Sequence, residues 1–255
     1  MKHRFLLLNI IFLFSFGNHI FAQDEPTKPF PNRNEQSVGI MLNSNGWGLN
    51  YHYGKRTDGS HRTLYSVDFA EIKHPKEIKR SNPYFDSGKK FVFGKMNNFY
   101  VLRFSYGRFK ILYDKFGKGG ISINRFYQVG TDAGFIKPVY YKVLYPTSDP
   151  YVKLVVTERF NYSMHRVTDI YSKENFFYHI EETQIIPGLF ARYGFNFDFS
   201  DNSYVINSVE CGIQLDVFPK PIEIMANTKN TNIFLSLFVA YRYGKASEKR
   251  INYSK

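Results

Sequence analysis

One cysteine, Cys211, and one tryptophan, Trp47, stand in 255 residues. A lone thiol closes no intrachain disulfide, so a small cross-linked secreted module is excluded. Beyond the first twenty-odd residues no apolar run is long enough for a membrane helix, which takes about 20 residues. Charges or turn residues break every later run. The motifs of common enzymes are missing as well: there is no G-x-G-x-x-G, phosphate-binding loop, G-x-S-x-G or H-E-x-x-H. Acids are the scarcer charge, with 22 Asp+Glu against 34 Lys+Arg. Aromatics are abundant instead, with 26 Phe and 20 Tyr.

The chain opens MKHRFLLLNIIFLFSFGNHIFAQ. Lys2, His3 and Arg4 precede an apolar run over residues 5–16, and the small Ala22 follows. This is the layout of a secretory signal peptide, expected over 1–22 with cleavage after Ala22. Residue 23 is glutamine, so no lipid-anchoring cysteine follows the cleavage point. Loss of Lys2 and Arg4 lowers the formal charge of +12 by two. An exported, Tyr-rich chain without membrane helices is a periplasmic or secreted β-protein or an outer-membrane barrel. Alternation decides between them.

Strand side chains repeat every two residues. In residues 233–243 one parity holds Ile233, Leu235, Leu237, Val239, Tyr241 and Tyr243, and the other holds Ser236, Ala240 and Arg242 beside Phe234 and Phe238. In 205–217, Val209, Ile213, Leu215 and Val217 oppose Ser208, Glu210, Gln214 and Asp216. In 189–199, Leu189, Tyr193, Phe195 and Phe197 oppose Arg192, Asn196 and Asp198. Similar patterns recur in 38–42 (a short first strand), 47–54, 65–70, 99–107 and 121–135. Arg125 breaks the last one; it either snorkels near a strand end or marks a bulge that switches parity.

The fold expected is therefore all-β: an eight-stranded antiparallel transmembrane β-barrel with long extracellular loops and short periplasmic turns. The short connections fall at 57–60, 109–119 and 200–203, and the long ones at 74–96, 137–185 and 218–231. Only the tight first turn, at 43–46, departs from this asymmetry. The barrel is placed at 36–244, between a periplasmic lead-in at 23–35 and a basic periplasmic tail at 245–255.

The inward parity carries His52, Asp68, Arg103, Asp132, Arg192, Asp198, Glu210, Asp216 and Arg242. An eight-stranded lumen is just wide enough to be filled by side chains. That favours an internal ion-pair network over a proton or ion path. Asp198 is the partner expected for Arg242. The loop 73–96 sets Lys73, His74, Lys76, Lys79, Arg80, Lys89, Lys90 and Lys95 against Glu77 and Asp86. Such a loop either is simply solvated or meets lipopolysaccharide phosphates. In the long 137–185 connection, VYYKVLYP is expected to extend the fifth strand, and HRVTDIYSKEN has the spacing of a short lid helix. Its Glu158, His165, Asp169, Glu174, His179, Glu181 and Glu182 match no familiar metal spacing. Ser163 and His165 are the nearest approach to a nucleophile and base. No catalytic residue, metal or cofactor is assigned, and Cys211 is read as an apolar filler.

The signal peptide together with NGWGLNYHYGKR, IKHPKEIKRSNP, GFIKPVYY and VFPKPIEIMA resembles a family of small outer-membrane β-barrel proteins of the OmpA/OmpX-type eight-stranded architecture. The resemblance runs from about residue 36 to 244. It implies the fold and the bacterial outer membrane, and transfers no site residues. The function expected is a structural or interaction role with a plugged lumen, including that of an accessory subunit of an assembly or secretion machine. The alternatives are a narrow pore or transporter for small solutes, and a rim-located enzyme acting on lipid or peptide. The partners expected are outer-membrane lipid, lipopolysaccharide and other envelope proteins, and not nucleic acid.

Overall fold

A computed structural model describes residues 33–57, 60–84, 90–115, 119–148, 153–200 and 204–248. The expected signal peptide, most of the lead-in, residues 249–255 and Lys89 lie outside them. The strands in order are β1 (Arg33–Asn43), β2 (Gly46–Arg56), β3 (His61–Ile72), the two-residue β4 (Lys79–Arg80) and β5 (Phe91–Val92), then β6 (Asn97–Tyr113) and β7 (Ser122–Pro138). There follow β8 (Tyr140–Pro146), β9 (Lys153–Arg159), β10 (Ile170–Lys173), β11 (Gln184–Asp198), β12 (Val205–Ile222) and β13 (Thr231–Glu248).

Eight of these close a barrel in the order β1-β13-β12-β11-β7-β6-β3-β2, every pair antiparallel. Closure satisfies the backbone groups that an open sheet would leave on its edges. β1 is not short: it has 11 residues and pairs with β13 from Arg33↔Glu248 to Asn43↔Phe238. The ladder thus takes in residues 33–35 and 245–248, which were expected as lead-in and tail. The pairing continues through Glu35↔Ala246 and Asn34↔Ser247, and Ala246 still falls on the inward face.

The period-two pattern holds around the barrel. Along β13, Leu235 and Leu237 are 69% and 64% exposed, whereas Ser236 between them and Phe238 and Ala240 beyond are buried. Arg125 is exposed, flanked by the buried Asn124 and Phe126, so the parity does not switch there. The register shift in this region lies between Ile111 and Tyr113 of β6. Arg125 points outward in the row His61–Lys110–Arg125–Phe195 at the short-turn end.

Phenylalanines fill the interior in two layers. At the long-loop end Phe99, Phe218 and Phe234 meet with centroids 5.2–6.1 Å apart. Toward the short-turn end Phe126 lies 6.0 Å from Phe109 and 6.4 Å from Phe238. Rings this large fit a narrow lumen only where the position beside them on the next strand is bare. A Cβ at Gly188 would stand 2.6 Å from the Phe218 ring and 3.0 Å from the Val217 carbonyl oxygen. Gly188→Ala should therefore lower stability by about 1–3 kcal/mol through overpacking. Urea unfolding of the refolded protein in detergent measures the difference.

Candidate functional site

Between the two phenylalanine layers lies a charged one. Arg103 (β6) donates Nε–H to Asp216 Oδ1 at 2.6 Å and Nη2–H to Oδ2 at 3.1 Å, and both side chains are fully buried. β6 and β12 are not neighbours in the barrel order, so this bidentate pair crosses the lumen. A second crossing joins Arg192 (β11) to Asp68 (β3), Nη2 to Oδ2, at 2.7 Å. Arg192 also donates to Gln214 at 3.0 Å and to Gln128 at 3.3 Å. Its guanidinium lies 4.9 Å from the ring centres of both Phe190 and Phe238. Aromatic faces of this kind replace part of the lost hydration of a cation. His52 stands 3.9 Å from Asp68.

Nearer the short-turn mouth, Arg242 meets Glu210 at 3.1 Å and donates to Asn50 at 3.0 Å and Ser37 at 3.2 Å. Asn196 holds the same Glu210 at 3.1 Å and receives a bond from Asn124. Asp198 is not the partner of Arg242. It sits half-buried at the rim, where Lys115 reaches it at 3.0 Å. The register sets Asp198, Ser208 and Arg242 in one row, but β11 is two strands from β13, and Arg242 turns to Glu210 of the adjacent β12. Asp132 is buried opposite Arg103 in the ladder, but the guanidinium is turned to Asp216 and neither Asp132 oxygen receives a hydrogen bond. Three guanidiniums thus serve four buried carboxylates. The neutral members of the network, Gln128, Gln214, Asn124, Asn196 and Asn50, were not singled out from sequence. Their signal was present, because all of them share the inward parity.

A cleft of about 40 Å³ at the short-turn mouth ends against Leu64, Phe109 and Arg242.

At the other end the long connections build a cap of their own. β10-β8-β9 form a three-stranded sheet, and β4-β5 a two-stranded one. A second apolar core, with Phe91, Tyr141, Val143, Phe160 and Ile170, lies under them. The expected lid helix is absent among the described residues: Ile170 and Ser172 are buried while Tyr171 and Lys173 are half-buried, the alternation of strand β10. The helical spacing of Val167, Ile170 and Tyr171 loses to pairing with β8. VYYKVLYP likewise leaves the barrel after Pro138 and becomes β8 rather than an extension of β7.

The basic loop is less uniform than its sequence. Lys95 is buried in an ion pair with Glu77 at 2.6 Å, and Lys73 pairs with Glu71 at 3.2 Å. Lys76, Lys79, Arg80 and Lys90 stay exposed. Ser163 does not reach His165, whose ring nitrogens meet the Asn161 N–H and Glu158 at 3.1 and 3.0 Å. The acids and histidines of 158–182 are spread over separate contacts, Glu174 with Lys142 and His179 with Glu181 among them. No three such ligands converge among the described residues.

No family model matches the sequence, and no curated protein does. Solved structures of small outer-membrane barrels align with it. The attachment invasion locus protein Ail of Yersinia pestis is 8% identical, with 86% of this chain and 100% of that chain covered and a TM-score of 0.40. A major outer membrane protein of Thermus thermophilus is 10% identical over 86% and 100%, with a TM-score of 0.40. The N-terminal β-barrel domain of Pseudomonas aeruginosa OprF is 7% identical over 85% and 98%, with a TM-score of 0.37.

The charge layer makes two opposite predictions. Asp216→Asn leaves Arg103 buried without its counter-charge and should cost about 3–5 kcal/mol. Asp132→Asn removes the carboxylate that no guanidinium serves, and should leave stability unchanged or raised. Paired unfolding curves of the two variants check this; equal losses would contradict the pairing described.

Proposed function

We propose that the protein is an exported outer-membrane β-barrel of structural or interaction type, with a closed lumen, whose cap faces the outside of the cell. The observation that carries this reading is the outward wall. Rows such as Val67–Phe104–Thr131–Leu189 and Val38–Tyr243 continue around it. Their apolar members are exposed, an arrangement water does not tolerate over so large a contiguous area. From Tyr100 to Arg108 along β6 is about 26 Å, or roughly 20 Å along the axis at the usual tilt of about 40°. That is close to the apolar band of about 25 Å that outer-membrane barrels present.

The borders of the band support the same reading. Tyr53, Tyr65 and Tyr106 form an outward row at the short-turn end, with centroids 6.4 and 5.5 Å apart. Lys55, Arg108, Lys110 and Arg125 follow just beyond it. Amphipathic rings and then cations are what a bilayer interface selects. Short turns belong to the periplasmic side and long loops to the cell surface. The cap then displays Lys76, Lys79, Arg80 and Lys90 toward lipopolysaccharide, and exposed apolar residues such as Leu154, Val155 and Met164 toward other envelope proteins. An accessory role in a larger envelope machine fits such a display. Nucleic acid is not a partner in that compartment, and no observation favours catalysis.

The plugged lumen and the orientation are tested separately. Reconstituted in planar bilayers, the protein should give no steady unitary conductance; steps that change with Arg103→Gln or Arg192→Gln would establish the pore instead. Protease added to intact cells should cut within residues 139–183 and spare the turn at 57–60. Cutting at the turn alone would reverse the orientation.

A further inference from the structure

The row Tyr100–Phe135–Ile185 lies on the outward wall at the long-loop end of β6, β7 and β11. Residues 174–183 fold down over this row instead of standing clear of it. Lys137 fastens them. Its buried Nζ donates to the Tyr178 carbonyl oxygen at 2.9 Å and lies 5.5 Å from the centre of the Phe176 ring. Phe176 in turn meets Tyr100 edge-on at 5.8 Å. Between flap and wall runs an open apolar groove of about 620 Å³, with Phe69, Phe135 and Ile185 on one side and Phe176 and Ile180 on the other.

Phe176 also bounds a second cavity, of about 550 Å³ and opposite character. Lys90, Lys142 and Lys173 line it against one carboxylate, Glu174, which is held by Lys142 at 3.1 Å. Neither the Lys90 nor the Lys173 ammonium has a hydrogen-bond or ion-pair partner among the described residues. Burial, and then the neighbouring charge of Lys95, hold the Lys173 ammonium below the ordinary lysine range. Glu71 and Glu77 offset this only in part, and a half-buried ammonium whose charge is so disfavoured gains from an added anion.

We infer that the two cavities are one bipartite site for a phosphorylated lipid of the outer leaflet, with an acyl chain in the groove and a phosphate among Lys90, Lys142 and Lys173. This rests on the outer-membrane reading and its orientation. The groove opens onto the apolar rows that acyl chains cover, so its occupant enters from the bilayer rather than from water. The lysines stand on the loop side of Phe176, where the headgroups of that leaflet lie. Lys90 and Lys173, which have no carboxylate of their own, favour a net-anionic phosphate monoester over a zwitterionic or neutral headgroup.

The test uses full-length protein carrying Trp47→Phe and Phe176→Trp, folded into nanodiscs of phosphatidylcholine. It is titrated with lipid A bearing brominated acyl chains, in the bis-phosphorylated and the dephosphorylated form. The introduced indole should be quenched saturably by the first, and at about tenfold or higher concentration by the second, the scale of one charge-assisted contact. Lys90→Gln with Lys173→Gln should weaken quenching by the phosphorylated lipid to a similar degree, with heat-modifiable mobility unchanged. Ile180→Trp serves as an alternative reporter if the first perturbs the flap. Equal quenching by both lipid forms, or none that saturates, overturns the site. If protease still cuts intact cells within 139–183, that failure leaves the outer-membrane reading standing; if it does not, both fall.

Discussion

The Arg103–Asp216 pair joins opposite walls of a lumen too narrow to keep either group hydrated. Stripping water from two such ions costs several kcal/mol each, and only close, bidentate geometry offsets that cost. The geometry requires β6 and β12 to face each other at one height, which fixes the register of the strands between them. Arg192 and Asp68 impose the same condition from β11 to β3. The phenylalanine layers above and below exclude water and so make both pairs obligatory.

Inside and outside are coupled through the same backbone. A slip of one residue in β6 would carry Arg103 to the outer wall and Leu102 and Phe104 into the charge layer. In the proposed setting that fault is penalised twice, because a cation at mid-bilayer costs about 2–4 kcal/mol and Asp216 is left without its counter-charge. The barrel is thus specified by two incompatible solvents on the two faces of one sheet, without a disulfide.

The eight strands were legible because period two is a local signal that tolerates no slip. Leu235, Leu237 and Val239 against Ser236 and Ala240 already give the final facing of β13. Of the nine residues expected on the inner parity, eight are buried and Asp198 is half-buried at the rim. Who pairs with whom was not legible: Arg242 takes Glu210 rather than Asp198, because the partner depends on register around a closed sheet and not on spacing along one strand. The cap was the least legible part. In HRVTDIYSKEN the apolar spacing suits a helix as well as a strand, and β8, some thirty residues earlier in the chain, decides the outcome. Lys95 looked like one more surface cation until the fold brought Glu77 against it.

The central claim is that one parity of the wall meets lipid while the other is sealed from lipid and water alike. Single cysteines at positions 233–243 of β13, in a Cys211→Ser background and carrying nitroxide labels in lipid vesicles, test it directly. Collision with oxygen and with a water-soluble nickel chelate should alternate with period two: high oxygen access at 235, 237 and 239, and low access to both at 236, 238 and 240. Nickel access at the second set would show a wet lumen, and loss of the alternation would contradict the barrel wall described.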